Sequence, residues 1–253
     1  MPELPEVEMF KNYVERHALG QTVARVRVLD ARIVGTRRLG SLAGRTFRSA
    51  RRHGKHLFVD AGDVWLHMHF GMTGDLAYYD DEPPRFARVI FDFNNGAHLA
   101  YEDMRLFGVV DLAPSPDHYI REHDLGPDPL QLTLREFRRV LGGRRGRIKA
   151  LLLSQNVIAG IGNLYADEAL YRASINPKRA IDRISPAEVA ALFRSIRGVL
   201  QEAIAFKSRG GDYPARFLVQ HREAGDRCPR CGGTIRRTVV AGRTTYYCAR
   251  HQR

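Results

Sequence analysis

Two groups of residues in this chain have the types and spacing to do chemistry, one at each end. The first is the opening run Pro2, Glu3, Leu4, Pro5, Glu6, Val7, Glu8. Pro5 is favoured in the first turn of a helix, and Glu6 and Glu8 suit the positive end of that helix. Pro2 needs another reason. If Met1 is removed, Pro2 becomes a terminal secondary amine, near the ordinary α-amino pKa of about 7.7 to 8.0. That is a nucleophile with a carboxylic acid, Glu3, beside it. The second group occupies the last 26 residues, which hold all 3 cysteines. Cys228 and Cys231 form a C-x-x-C pair, and after 16 intervening residues Cys248 and His251 repeat the spacing with an imidazole in last place. Three thiolates and one imidazole match a tetrahedral structural zinc site, whereas a disulfide would leave one thiol over. Between the pairs the sequence predicts a β-hairpin turned near Ala241 and Gly242, carrying Arg236, Arg237 and Arg243, a form suited to contacting DNA.

The elements that must position these residues change character along the chain. Leu4, Val7, Phe10 and Val14 fall at helical spacing. Short β-rich runs follow from Thr22, His56, Val64, Arg88, Ala97 and Gly108, separated by turn residues such as those at 80–84 and 94–96, which suggests an antiparallel sandwich or barrel. A Pro- and Gly-rich linker at 125–132 leads into helical periodicity. Thr133 caps one helix, helical runs continue through 147–155 and 163–173, and Ser185, Pro186 and Glu188 open a longer helix reaching about Lys207. The 253 residues are enough to bury a core without disulfides. No window approaches the ~18 consecutive apolar residues of a membrane span, and no signal peptide pattern opens the chain, so a cytoplasmic location is expected. The 40 basic and 28 acidic residues give a net charge of +12. Residues 1–129 carry 16 basic and 19 acidic groups, 130–206 carry 13 and 6, and 207–253 carry 11 and 3. All the positive excess therefore lies in the C-terminal half, pointing to a polyanionic partner, nucleic acid, over a small metabolite.

Six features in register give a wider pattern: the opening run through Glu8, the basic stretch around Lys55, the 69–76 stretch around Met72, Asp103–Gly108, the 160–171 stretch around Asn163 and the Cys/His hairpin. Together they resemble the formamidopyrimidine-DNA glycosylase and endonuclease VIII family of base-excision repair enzymes over nearly the whole chain. The resemblance implies an α+β chain: an N-terminal antiparallel β-sandwich with an N-terminal helix, then a helix-two-turn-helix domain and a zinc-finger β-hairpin, with DNA in the cleft between. The expected divisions are residues 1–125, 126–210 and 211–253. It also implies that Pro2 attacks C1′ of the damaged nucleotide, that Glu3 is its acid/base partner, and that β- and δ-elimination follow from the resulting iminium. Glu6 would organise the amine and the helix start, and Lys55 would contact phosphate near the lesion. Asn163 and Arg243 would hold the phosphates of the everted nucleotide, while Met72, Arg105 and Phe107 would fill the gap it leaves in the duplex. Zn2+ at Cys228, Cys231, Cys248 and His251 and a monomer acting on damaged or abasic double-stranded DNA complete the expectation.

Three departures bear on substrate. Leu106 stands where the family has a second arginine, His251 stands in place of a fourth thiolate, and the segment before the finger is short where 8-oxoguanine enzymes of the family carry a longer loop. Met72, Arg105 and Phe107 fit a purine-lesion enzyme, whereas the short segment fits an endonuclease VIII-like preference for oxidised pyrimidines. A non-catalytic zinc-ribbon protein that binds damaged DNA is the other alternative, but plain binding has no use for a terminal amine.

Overall fold

The computed structural model describes residues 2–35 and 39–253. The expected loss of Met1 lies outside the described residues. Two compact units divide the chain, one ending at Asp124 and the other running from Leu125 to Arg253.

The first unit opens with α1 (Leu4–His17), whose Val7 and Val14 are fully buried. Among the described residues eight strands follow: β1 (Val23–Val28), β2 (Ser49–His53), β3 (His56–Asp60), β4 (Trp65–His69), β5 (Gly74–Tyr79), β6 (Ala87–Phe93), β7 (His98–Asp103) and β8 (Val109–Ala113). They form two four-stranded antiparallel sheets, ordered β1-β6-β7-β5 and β2-β3-β4-β8. Alternation decides which side chains meet: Leu57, Val59, Leu66 and Met68 of one sheet join Val89, Phe91, Leu99 and Tyr101 of the other in a single core, with Val7 and Val14 of α1 in the same cluster. The expected sandwich is present. Two of its strands, β2 and β5, were not expected from the sequence. Ser-Ala-Arg-Arg-His offers one apolar side chain in five residues, and β5 starts inside a run that reads as a glycine turn.

A short helix, α2 (Pro116–Glu122), capped by the Ser115 side chain, closes this unit. It lies on the outer face of the second sheet, where the Tyr119 ring packs, tilted by 31°, against His67 with ring centroids 4.1 Å apart.

In the second unit, α3 (Leu134–Leu141), α4 (Ile148–Leu153), α5 (Asn163–Ala173) and α6 (Pro186–Lys207) precede the hairpin of β9 (Ile235–Val240) and β10 (Arg243–Cys248). Reciprocal capping boxes start two of these helices, Thr133 with Glu136 and Ser185 with Glu188. Ala241 at φ 50° and Gly242 at φ 70° form the hairpin's two-residue turn, the left-handed pair that a tight antiparallel connection requires. No helix among the described residues is long and apolar enough to cross a membrane.

Candidate active site

Pro2 is half-buried at the mouth of α1, and Glu3 is its N-cap with 2% of its surface exposed. Glu3 and Glu6 form a reciprocal capping box: the Glu3 carboxylate accepts from the Glu6 backbone, and Glu6 Oε2 accepts from Glu3 N at 2.9 Å. The carboxylate beside Pro2 is thus held by the first turn of the helix, and Glu6 fixes the residue next to the amine.

Arg52, not anticipated from the sequence, ties this helix to the turn carrying Lys55. Its Nε donates to Glu8 Oε2 at 2.6 Å and its guanidinium to the Gly54 carbonyl at 3.1 Å, and the side chain is almost fully buried. Charge-assisted bonds of this kind are strong and directional, so one arginine orients both α1 and the β2–β3 turn.

Register does the rest. His53 pairs with His56, His56 with His69 and His69 with Val109, so the Lys55 turn, the loop after β4 and the loop before β8 emerge at one end of the second sheet. Met72 lies in the first of these loops, Arg105 and Phe107 in the second. Asp103, fully buried, joins them: its Oδ1 accepts from Thr73 Oγ1 at 2.5 Å and from Arg105 N at 3.1 Å, and its Oδ2 from Gly108 N at 2.7 Å. Gly71, at φ 52°, sits so close to the Phe107 backbone that a Cβ there would overlap it. Read cold, Met72 and Phe107 would be core residues, yet they are 39% and 54% exposed, with the Arg105 guanidinium 4.9 Å from the Phe107 ring centroid. Leu106 takes a left-handed φ of 58° and packs against the sandwich core. The side chain replacing the family's arginine therefore points inward, leaving Arg105 and Phe107 outward.

A row of imidazoles covers the outer face of this sheet. His56 Nδ1 and His67 Nε2 are 3.0 Å apart, and burial pushes both well down, His67 to about 3. His69 is lowered by burial and by the charge of Lys55.

In the second unit, Asn163 opens α5 and its Nδ2 donates to the Thr244 carbonyl at 2.9 Å. Arg243, exposed, is the preceding residue of β10. The structure thus brings these two expected residues together and anchors the strand behind them. Lys149 Nζ donates to Thr245 Oγ1 at 2.7 Å and lies 2.5 Å from Asp167 Oδ1, while Asp167 Oδ2 accepts from Tyr246 N at 3.2 Å. Three successive residues of β10 are tied to α4 and α5, so Arg243 projects from a fixed strand. Lys149 and Asp167, 0% and 1% exposed, read in the sequence as ordinary helix charges.

The zinc quartet closes as expected. One ligand atom from each of Cys228, Cys231, Cys248 and His251 lies within 4.8 Å of the others. Cys231 Sγ is 3.5 Å from Cys248 Sγ and 3.4 Å from His251 Nδ1, spacings that suit a tetrahedral ion with metal–ligand bonds of about 2.0 to 2.3 Å. His251 Nε2 lies 3.3 Å from the Tyr171 carbonyl; donating there leaves Nδ1 free to ligate. The imidazole is therefore a proper fourth ligand for one structural zinc.

Comparison with known proteins agrees along the chain. Residues 1–110 match the formamidopyrimidine-DNA glycosylase N-terminal domain, 125–213 the formamidopyrimidine-DNA glycosylase H2TH domain, and 225–250 a zinc finger found in FPG and IleRS. A formamidopyrimidine-DNA glycosylase of Pelotomaculum thermopropionicum is 39% identical over 98% of both chains, and one of Enterococcus faecalis is 36% identical over 100% of this chain and 97% of its own. Among solved structures, Lactococcus lactis Fpg in complex with abasic-site DNA superposes with a TM-score of 0.88 at 30% identity, covering 100% of each chain. A MutM complex with DNA containing carbocyclic 8-oxo-G also gives 0.88, at 31% identity and full coverage of both chains. The sequence motifs, the sandwich, the helical unit and the zinc quartet lead to one conclusion: the chain belongs to the formamidopyrimidine-DNA glycosylase family.

Proposed function

We propose that this protein is a DNA glycosylase and abasic-site lyase that removes oxidised bases from double-stranded DNA. The observation that carries the reading is the N-terminal arrangement: a proline amine next to a carboxylate fixed by a capping box, on a helix that Arg52 ties to the Lys55 turn.

In the proposed reaction the Pro2 nitrogen attacks C1′, the glycosidic C–N bond breaks, and the base departs with a proton. Opening of the sugar ring, with its oxygen protonated, gives a cationic iminium between Pro2 and C1′. Glu3 carries protons to and from the reacting sugar. The iminium draws electrons from the sugar, so loss of the C2′ proton expels the 3′ phosphate, a second elimination expels the 5′ phosphate, and water releases Pro2. Lys55 supplies positive charge beside the lesion phosphate. Met72, Arg105 and Phe107 enter the space left by the everted nucleotide, the first and last as apolar wedges and Arg105 toward the orphaned base. Asn163, through the hairpin it holds, and Arg243 grip the backbone. The zinc ion stiffens the finger and takes no part in the steps. Functionally we divide the chain at 125/126 and 210/211 into catalytic, helical and finger segments, working as a monomer in the cytoplasm at the nucleoid.

One feature favours a narrower substrate range within this reading. Between α6 and the first zinc cysteine the chain is short, with residues 208–212 exposed and two aromatic anchors after them: Tyr213 Oη meets Tyr165 Oη at 2.7 Å, and Arg172 lies 4.3 Å from the ring centroid of the fully buried Phe217. With little loop to cover an everted base, ring-opened or saturated bases, already poorly stacked, should be removed faster than 8-oxoguanine, whose intact ring costs more to extrude. Single-turnover assays on duplexes with one defined lesion test both levels. Release of a ring-opened purine with a gap bearing two phosphate ends supports the activity. Removal of 8-oxoguanine opposite cytosine at the same rate would overturn the narrower preference, and no strand cleavage on any lesion would overturn the activity.

A further inference from the structure

Outside the residues assigned to DNA, the second unit contains a groove between the C-terminal end of α3 and the segment leading into α6, with a volume of about 580 Å³. Its floor is aliphatic: Leu141, Ile181, Ile184 and Val189. Its rim is cationic: Arg138, Arg144 and Arg145, all exposed, with Asp182 the one acid among the lining residues. The loop crossing the rim reads Gly142, Gly143, Arg144, Arg145, Gly146. Gly143 at φ 72° and Gly146 at φ 109° occupy the left-handed region, which lets two arginines stand side by side between them. Arg144 is braced along the helix end, its Nε donating to the Val140 carbonyl at 2.7 Å. The loop is held at its far side by Ile181 N donating to the Gly146 carbonyl at 2.9 Å, so the rim is fixed to the segment that supplies the floor.

Duplex DNA presents charged phosphates outward and keeps its apolar surface stacked inside, so it has nothing to put on an aliphatic floor. Extruded single-stranded bases settle on aromatic platforms, and this groove has no aromatic side chain in its lining. Volume and chemistry suit instead an apolar amino-acid side chain flanked by carboxylates, the anchor-and-rim arrangement of peptide recognition. We propose that this groove docks an acidic peptide segment of a partner protein, one that inserts an aliphatic or aromatic side chain between Leu141 and Val189 while its carboxylates meet Arg138, Arg144 and Arg145. The enzyme would then have a protein-binding face separate from Arg243 and Asn163.

The test uses the full chain and a fluorescein-labelled short peptide of Asp and Glu with one central Phe, followed by anisotropy. Binding should weaken about tenfold or more when the peptide's Phe is replaced by Ser, and by a similar factor in an Arg144→Glu/Arg145→Glu variant. Both arginines are exposed, so the fold should survive, and at about 0.15 M salt, which screens exposed charges lying more than about 8 Å from the phosphates, affinity of that variant for an abasic-site duplex should change by less than about twofold. Val189→Asp, which places a charge in the floor without touching the rim, should also abolish peptide binding. Equal binding of the Phe and Ser peptides would reduce the interaction to unspecific charge attraction and overturn the proposal. So would an equal loss of duplex affinity in the arginine variant, which would make the groove part of the DNA surface.

Discussion

Glu168 of α5 is 1% exposed, and burial pushes its carboxyl up to about 7, opposed by Arg172 and by the backbone N–H groups of Val219 and Leu218. The folded state therefore holds a proton on Glu168 that the unfolded chain has released between about pH 4.5 and about pH 7. Its contribution to stability is greatest below that window, falls as pH rises through it, and stays constant above, by up to about 3 kcal/mol for a shift of this size. The buried imidazoles His56 and His67 have lowered values and impose the opposite slope, so the comparison with a variant isolates the carboxyl. Glu168→Gln keeps an acceptor for Val219 N and cannot ionise. Urea unfolding should show the variant gaining stability relative to wild type between pH 5 and pH 8; the same difference at both values would contradict the assignment. At this scale the sequence shows residues whose chemistry is local. Pro2 and Glu3 are adjacent, and zinc spacing is read from neighbours. It does not show Arg52, whose partner Glu8 is 44 residues away, nor Lys149, whose hydroxyl partner Thr245 is 96 away. Both are charges that only folding buries.

The zinc hairpin is the element on which position matters most, because Arg243 is useful only if β10 is fixed. Two systems fix it, the metal at its base and the bonds from Asn163, Lys149 and Asp167 along its length. The protein should contain about one zinc per chain, and chelator competition should show Cys248→Ser releasing it more readily than His251→Ala, where water can take the fourth position. Equal zinc content in wild type and Cys231→Ser would sink the metal assignment. The hairpin was legible because its turn, its ligands and its alternation lie within one short stretch. The same holds for α3 and α6, whose capping residues stand at the right offsets. Strand β2 was not legible: Arg51 and Arg52 look like surface charge, and only pairing with Phe58 and Leu57 of β3 makes them strand residues. Nor was α2, a 7-residue helix whose place depends on Tyr119 packing against His67.

Over the whole molecule, charge is divided as the proposed labour is. Residues 1–129 hold 16 basic against 19 acidic groups, and the remainder holds the entire positive excess. If about 4 to 6 phosphates are neutralised, log K for duplex DNA should fall with log salt at a slope of about −4 to −5, and Arg243→Ala should flatten it by about 1 on every sequence. A slope near zero would contradict electrostatic binding. Charge asymmetry needs no fold to be seen, which is why it was readable at once, whereas the gathering of Lys55, Met72 and Phe107 at one sheet end depends on the strand register.

The central claim, that the terminal amine of Pro2 forms the covalent intermediate, is tested most directly by borohydride trapping on an abasic-site duplex. Reduction should fix the iminium as a stable protein–DNA adduct in wild type, and Pro2→Gly or a retained N-terminal tag should remove or sharply reduce it. An undiminished adduct in the tagged protein would put the nucleophile elsewhere, Lys55 first, and would contradict the account.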